Sequence, residues 1–141
     1  MSVIAVLAAL TLAGVIGWLV NRRAGVLRDV EVNDAGSGAA DDTAAAFLGL
    51  QPGGPTVVHF SAPWCGPCAG VRRVVDKVCA DLGGVAHREI DIDADPAAAR
   101  RFSVLSLPTT LIFDADGRQR YRAAGVPTAV ALRSALEPLL A

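Results

Sequence analysis

The chain has 141 residues, which is enough for one small domain and an additional segment, and its formal net charge is −1. A chain so close to neutrality has no strong positive field, which argues against nucleic acid as a partner. Apolar residues make up 52% of the sequence and are concentrated near the N-terminus. The composition therefore predicts an apolar N-terminal segment followed by a globular domain.

Residues 3–20 contain no charged side chain. As an α-helix they would extend about 27 Å, close to the hydrocarbon thickness of a bilayer. Trp18 lies near the end of this segment, where amphipathic rings favour the membrane interface. We therefore predict a transmembrane anchor in residues 1–21. A cleaved signal peptide is the alternative, but only the terminal amine precedes the segment as a positive charge, and Asn21-Arg22-Arg23 is not a small-x-small cleavage site.

Three arginines, Arg22, Arg23 and Arg28, follow the apolar segment, and no charged side chain precedes it. The excess of basic residues on one side of a membrane span predicts that this side faces the cytoplasm. We therefore expect the C-terminal domain on the cytoplasmic face.

Residues 22–40 are expected to form a juxtamembrane segment and a flexible linker. Residues 26–32 alternate enough to form a short first strand, and an irregular juxtamembrane segment is the equal alternative. Residues 33–40 are small, polar and glycine-containing, which is typical of a tether. Asp41 or Asp42 is placed to cap a helix that continues to about Leu50. The domain is therefore expected to occupy residues 41–141.

Strand and helix patterns alternate along this domain, which predicts an α/β fold. Gly83-Gly84 should end the first long helix, Thr128 should cap the last one, and Pro138 should kink or end it. The predicted elements are strands at 56–60, 85–92, 109–114 and 118–123, and helices at 69–82, 96–102 and from 128 onward.

Cys65-Gly66-Pro67-Cys68 lies between the predicted strand 56–60 and the predicted helix 69–82. A C-x-x-C motif in this position is typical of a redox site. A helix N-terminus carries partial positive charge, and such surroundings lower the pKa of a cysteine from about 8.5 towards about 7, which favours the nucleophilic thiolate. We expect Cys65, at the exposed end, to attack disulfides, and Cys68 to resolve the mixed disulfide.

The sequence Trp64-Cys65-Gly66-Pro67-Cys68 resembles the active site of thioredoxins residue for residue, and the resemblance extends from about Asp41 to Ala141. It implies a thioredoxin fold, a mixed central sheet with helices on both faces. It also implies a redox-active Cys65–Cys68 disulfide, with no other cofactor.

Pro108 matches the proline that this family holds in the cis form beside the disulfide. The resemblance implies that Leu107, the preceding residue, pairs with an extended substrate strand through its backbone. Trp64, Gly66 and Pro67 would complete the substrate-binding surface around Cys65.

His59 departs from the family pattern, because thioredoxins usually carry at this position a buried aspartate that is thought to exchange a proton with the second cysteine. A lysine on the next strand usually partners that aspartate, and by strand register the corresponding position here is Glu89. A neutral imidazole can accept a proton at one nitrogen while a carboxylate orients the other. We therefore consider His59 as proton acceptor with Glu89 as its partner. The alternative is a core histidine bonded to a backbone group, with Glu89 in solvent.

The remaining candidates predict no further chemistry. Arg72, Arg73 and Lys77 are typical of a solvated helix face. Cys79 is expected to be a buried, inert thiol. The cysteines and histidines lack the paired spacing of a zinc site, so no metal is predicted.

The sequence thus predicts a membrane-tethered thiol–disulfide oxidoreductase that reduces protein disulfides. Thioredoxin reductase would be the electron donor on the cytoplasmic face. Similar anchored proteins often face outward, which leaves open a thiol reductant for cytochrome c maturation or envelope proteins, supplied by a membrane electron donor. A tethered binding module without catalysis is the non-enzymatic alternative.

Overall fold

The computed structural model describes residues 2–21, 24–30 and 44–141. Helix α1, Ser2–Asn21, contains an apolar stretch of 18 residues, Val3–Val20, none of it buried against the rest of the protein. By length and composition this helix could cross a membrane, and a signal sequence would look the same. The predicted cap at Asp41 or Asp42 and the predicted tether 33–40 lie outside the described residues.

The described strands form one mixed sheet in the order β1-β5-β4-β2-β3. β2 and β3 are parallel, and the other neighbours are antiparallel. β1 lies at the sheet edge beside β5. It comprises two residues and is therefore shorter than the predicted strand 26–32. The strands are β1 Arg28–Asp29, β2 Thr56–Ser61, β3 Ala86–Asp91, β4 Thr109–Phe113 and β5 Gln119–Ala124.

The helices follow the predicted bounds closely. The Thr128 hydroxyl accepts a hydrogen bond from the Ala131 amide and so caps the last helix. Gly83 ends the helix Cys68–Leu82 with a φ of 67°, a conformation that favours glycine. The helices are α2 at residues 44–48, α3 Cys68–Leu82, α4 Pro96–Arg101 and α5 Ala129–Leu136, which is followed by a 3-10 turn at Glu137–Leu139 that includes Pro138.

Helices cover both faces of the sheet, and β2 is buried along its whole length between them. Successive side chains of a strand point to opposite faces. Val58 and Phe60 therefore pack with the cluster around Phe102, while Val57 packs with α3 and α5. Each large apolar side chain buried in this way contributes about 1.5–3 kcal/mol. By the same alternation, His59 points to the face that α3 covers.

Candidate functional site: a disulfide at the N-terminus of α3

Cys65 and Cys68 form a disulfide at the point where the loop after β2 enters α3. Their Cα atoms are 5.5 Å apart, which is an ordinary separation for a disulfide. The loop is held by hydrogen bonds from the Cys65 amide to the Ala62 carbonyl (3.0 Å) and from the Cys68 amide to the Cys65 carbonyl (3.2 Å). Cys68 is only 2% exposed, whereas Cys65 is half-buried. The sulfur that a partner protein can reach is therefore that of Cys65.

Pro67 lies directly before α3 with a φ of −65°, and Cys68 is the first helical residue. Proline suits this position because it has no N–H group to leave without an acceptor and its φ is already helical. The disulfide thus lies at the N-terminus of a helix of 15 residues, where the helix dipole favours negative charge.

Trp64 and the loop before β4 carry the residues that the resemblance assigns to the surface around Cys65. The Trp64 side chain is 68% exposed, and its indole N–H donates to Asp93 Oδ2 at 3.0 Å. The Leu107–Pro108 peptide bond is cis, as the resemblance implied. Leu107 is half-buried, and its backbone forms no backbone hydrogen bond to any other residue that the structure describes. Its N–H and carbonyl groups are therefore available to an extended partner chain.

His59 lies in β2, and its side chain is fully buried. The parallel register of β2 and β3 pairs His59 with Glu89, and the Nε2–Oε1 distance is 3.4 Å. That contact is within ion-pair range, but within the described structure Nε2 has no partner with hydrogen-bond geometry. Nδ1 of His59 instead lies 2.8 Å from Nε2 of His87. The predicted neighbour Glu89 is present, and the hydrogen-bond partner is a second histidine.

The closest partner of Glu89 is Arg72 in α3, one turn after Cys68. The guanidinium group donates from Nε to Oε2 at 2.7 Å and from Nη2 to Oε1 at 2.5 Å. This paired hydrogen bond is the main reason that the pKa of Glu89 falls to about 2. The Arg72 side chain is 51% exposed, as predicted for a solvated helix face, and its position on α3 also brings it opposite Glu89 in β3.

His87 and Asp76 were not predicted as site residues. Nδ1 of His87 lies 2.7 Å from Oδ1 of Asp76, and the ring of His87 stacks on that of His59 with centroids 5.0 Å apart. A signal was present in the sequence: His87 and Glu89 are two residues apart on one strand, while Arg72 and Asp76 are four residues apart on one helix. Such pairs share a face, so the two elements meet through these four side chains.

Burial lowers the pKa of His59 from 6.5 to about 4, and this effect outweighs the opposing attraction of the Glu89 carboxylate. At neutral pH the ring is therefore uncharged and has a free lone pair. A buried side chain of this kind can accept a proton, which a histidinium ion cannot do.

The same low pKa predicts a loss of stability in mild acid. Because the folded-state pKa of about 4 lies below the unfolded value of 6.5, the unfolded chain binds more protons between these values. Stability is therefore retained near pH 7 and lost as the pH falls towards 4. From pH 7 to pH 5 this group alone should remove about 2 kcal/mol from the free energy of unfolding. Urea unfolding of the full chain in detergent micelles at both pH values measures this change.

His59→Leu should flatten this pH dependence, since leucine cannot bind a proton. Lys77→Ala, an exposed change on α3, serves as the control and should leave it intact. Equal pH dependence in wild type and His59→Leu would show that His59 is not the group responsible.

Cys79, the third cysteine, is half-buried in α3 rather than buried as predicted. Desolvation, together with the nearby Asp76 carboxylate, raises its pKa to about 11. Cys79 is thus a weak nucleophile, which agrees with the prediction of an inert thiol.

Within residues 2–21, 24–30 and 44–141, no group of three or more His, Cys, Asp or Glu side chains is arranged to hold a metal ion.

Comparison with known proteins identifies the fold and the chemistry. The thioredoxin family model matches residues 48–137. A thioredoxin of Mycolicibacterium smegmatis is 36% identical over 110 residues, which cover 76% of this chain and 97% of that protein. The solved thioredoxin of Fasciola hepatica is 29% identical with a TM-score of 0.57, covering 72% of this chain and 93% of that one. Mitochondrial thioredoxin 3 of Saccharomyces cerevisiae, in its oxidised form, is 27% identical with a TM-score of 0.58, covering 67% and 89%.

These relatives share the thioredoxin fold that the sequence predicted, and the cysteine pair that carries the family's chemistry is present here as a disulfide. The chain therefore belongs to the thioredoxin family, and it is a thiol–disulfide oxidoreductase.

Proposed function

We propose that this protein is a membrane-tethered reductase of protein disulfides, with Cys65 as the attacking thiol and Cys68 as the resolving thiol. The observation that carries the proposal is the unequal exposure of the two sulfurs at the N-terminus of α3. Cys65 is accessible to a partner, and Cys68 is buried one turn further in.

In the reduced protein, the Cys65 thiolate attacks one sulfur of the substrate disulfide. A Cys65–substrate disulfide forms, and the other substrate sulfur leaves as a thiolate. Cys68 then loses its proton and attacks Cys65, which closes the internal disulfide and releases the second substrate thiolate. Two electrons pass from the protein to the substrate, and no cofactor other than the cysteine pair is needed.

His59 is the proposed acceptor of the Cys68 proton. It lies on the face of the sheet that α3 covers. The sulfur of Cys68 lies 3.9 Å from the backbone carbonyl of Phe60, the residue that follows His59 in β2. Nε2 of His59 is buried without a partner in hydrogen-bond geometry, and a proton arriving there would meet the Glu89 carboxylate 3.4 Å away. Glu89 would thus stabilise the protonated ring during the reaction.

The substrate is proposed to bind as an extended segment beside the cis-proline. The backbone of Leu107 would pair with the backbone of the substrate segment. The substrate's side chains would be contacted by Trp64, Gly66, Pro67 and Pro108. The exposed indole of Trp64 supports this assignment, because a large exposed aromatic surface is typical of a contact site.

The segment that follows α1 is packed against the domain beside this binding surface. The Gly25 amide donates to the Ala124 carbonyl at 2.5 Å, and Gly25 has a φ of 80°. A Cβ at Gly25 would lie 2.1 Å from the Val126 carbonyl oxygen, so only glycine fits. Of the predicted linker 22–40, residues 24–30 therefore belong to the folded unit.

This packing would hold the redox site close to the membrane. Three peptide units separate Asn21 from Ala24, which limits their Cα–Cα distance to about 11 Å. The Ala24 side chain lies beside Gly125, whose amide donates to the Pro108 carbonyl at 2.8 Å. If α1 spans a membrane, these contacts would keep the domain near its surface. Disulfides at the membrane surface would be the accessible substrates.

The full chain in detergent micelles should reduce insulin disulfides when dithiothreitol is supplied as electron donor. A tethered binding module would instead leave the rate at the dithiothreitol background. This outcome would reject the reductase while leaving the fold unaffected.

The arginines after α1 support a cytoplasmic domain supplied by thioredoxin reductase. In intact cells expressing Cys68→Ser, treated first with a permeant reductant, a membrane-impermeant maleimide should leave Cys65 unlabelled until lysis. Labelling before lysis would place the domain on the outer face of the membrane. The protein would then receive electrons from a membrane electron donor and reduce envelope proteins or cytochrome c precursors.

A further inference from the structure

Two side chains, His87 and Asp76, connect the buried imidazole of His59 to solvent. His59 is 0% exposed, the His87 side chain is 16% exposed, and the Asp76 side chain is 60% exposed. The atoms along this path are separated by hydrogen-bond distances, 2.8 Å from His59 Nδ1 to His87 Nε2 and 2.7 Å from His87 Nδ1 to Asp76 Oδ1. We infer that Asp76 and His87 form a proton path between His59 and solvent and fix the tautomer in which His59 Nε2 is free. The inference rests on the proposed role of His59 as proton acceptor.

The hydrogen positions follow from the outer end of the path. A carboxylate only accepts hydrogen bonds, so Nδ1 of His87 carries a hydrogen that it donates to Asp76. In the neutral ring, Nε2 of His87 is then an acceptor, and Nδ1 of His59 must donate to it. Nε2 of His59 is left with its lone pair and can accept a proton.

The buried polar atoms without partners support a functional reason for this arrangement. Among the described residues they are His59 Nε2 and Thr110 Oγ1. These two residues face each other across β2 and β4. A buried polar atom is normally hydrogen-bonded, so an unpaired nitrogen with a fixed lone pair indicates a group kept ready for a proton.

The path balances protons over the redox cycle. When Cys68 is deprotonated, His59 Nε2 gains that proton and Nδ1 passes its own hydrogen to His87 Nε2. His87 in turn gives its Nδ1 hydrogen to the Asp76 carboxylate, which then releases it to solvent, so one proton leaves and both rings change tautomer. When the electron donor reduces the disulfide, the transfers run backwards, return a proton to Cys68 and restore the first tautomers.

Other charged groups also face His59, and they set the direction of proton transfer. The Glu89 carboxylate from β3 favours a proton on His59, whereas Arg72 from α3 disfavours it. Because Arg72 holds Glu89 by two hydrogen bonds, Glu89 is not free to carry the proton outward. The only hydrogen-bonded route from His59 through described side chains is the one through His87.

Single-turnover kinetics with an aromatic disulfide can test this role. The reagent releases one coloured thiolate when Cys65 attacks and a second when Cys68 resolves, so both steps are observed in one experiment. The full chain in micelles is used in a Cys79→Ala background, which removes the third thiol.

His87→Ala and Asp76→Asn should each slow the second release about tenfold, the usual effect of removing a positioning group, and leave the first release unchanged. Imidazole added to the buffer should restore the second release in His87→Ala but not in the space-filling His87→Phe. Lys77→Ala, next to Asp76 on the exposed side of α3, should behave as wild type.

A second release equal to that of wild type in His87→Phe and Asp76→Asn would overturn the proton path. Slow release that imidazole does not restore in His87→Ala would also overturn it, because the defect would then be structural. If the second release is slow in His59→Asn but has the wild-type rate in the His87 and Asp76 variants, the proposed role of His59 stands without the path. If the second release also has the wild-type rate in His59→Asn, the proposed role of His59 as proton acceptor fails.

Discussion

Replacing Cys68 with serine should abolish turnover and trap the substrate on Cys65. Without the resolving thiol, the Cys65–substrate disulfide has no internal nucleophile to break it, so the intermediate accumulates. Insulin reduction should fall by about three orders of magnitude or more, since the loss of one member of a covalent pair removes the whole route. Non-reducing gels and mass spectrometry of the full chain would show the covalent adduct.

Cys65→Ser is the matched variant for this experiment. It should lose activity to the same extent but form no adduct, because Cys68 is buried and cannot reach an external disulfide. Cys79→Ala should retain wild-type turnover. An adduct that forms on Cys68 rather than on Cys65 would reverse the assigned order of attack.

His59→Asn should slow resolution on the order of a hundredfold, the lower end of the effect of a general base. Asparagine is similar in size but does not accept a proton at neutral pH. The first attack depends on Cys65 alone and should change little. Stopped-flow measurement with the aromatic disulfide separates these two steps.

Thr110→Val is the control for a change in packing around His59, because Thr110 is the buried residue opposite His59 on β4. It changes the cross-strand neighbour of His59 and removes the other unpaired buried atom, without affecting a proton acceptor. Its resolution rate should match that of wild type. If both variants slow resolution equally, the effect of His59→Asn comes from packing and not from proton transfer.

The fold could be predicted from the sequence because its signals are local. The strand at residues 56–60, the glycines that end α3 and the cap at Thr128 each depend on a few neighbouring residues. The resemblance around Trp64 to Cys68 then supplied the topology. The bounds of β2 to β5 and of α3 to α5 differ from prediction by one or two residues, whereas the described β1 comprises two residues, with a further hydrogen bond from the Val30 amide to the Arg120 carbonyl.

The network beneath the disulfide could be predicted only in part. Strand register indicated that Glu89 lies beside His59. The same register places His87 two residues before Glu89 on β3, but recognising Asp76 as the partner of His87 and Arg72 as the partner of Glu89 requires the rotation of α3 over β3. That rotation is set by packing of Val71, Val75 and Val78 against the sheet, and no spacing within either element determines it.

The most direct test of the central claim is the rate at which iodoacetamide alkylates each cysteine of the reduced full chain at pH 7. Cys65 should react several-fold faster than free cysteine, because the end of α3 favours its thiolate. Cys79, with its pKa near 11, should react about tenfold more slowly than free cysteine. A Cys65 that reacts no faster than free cysteine would contradict the assignment of an activated nucleophile at this helix terminus.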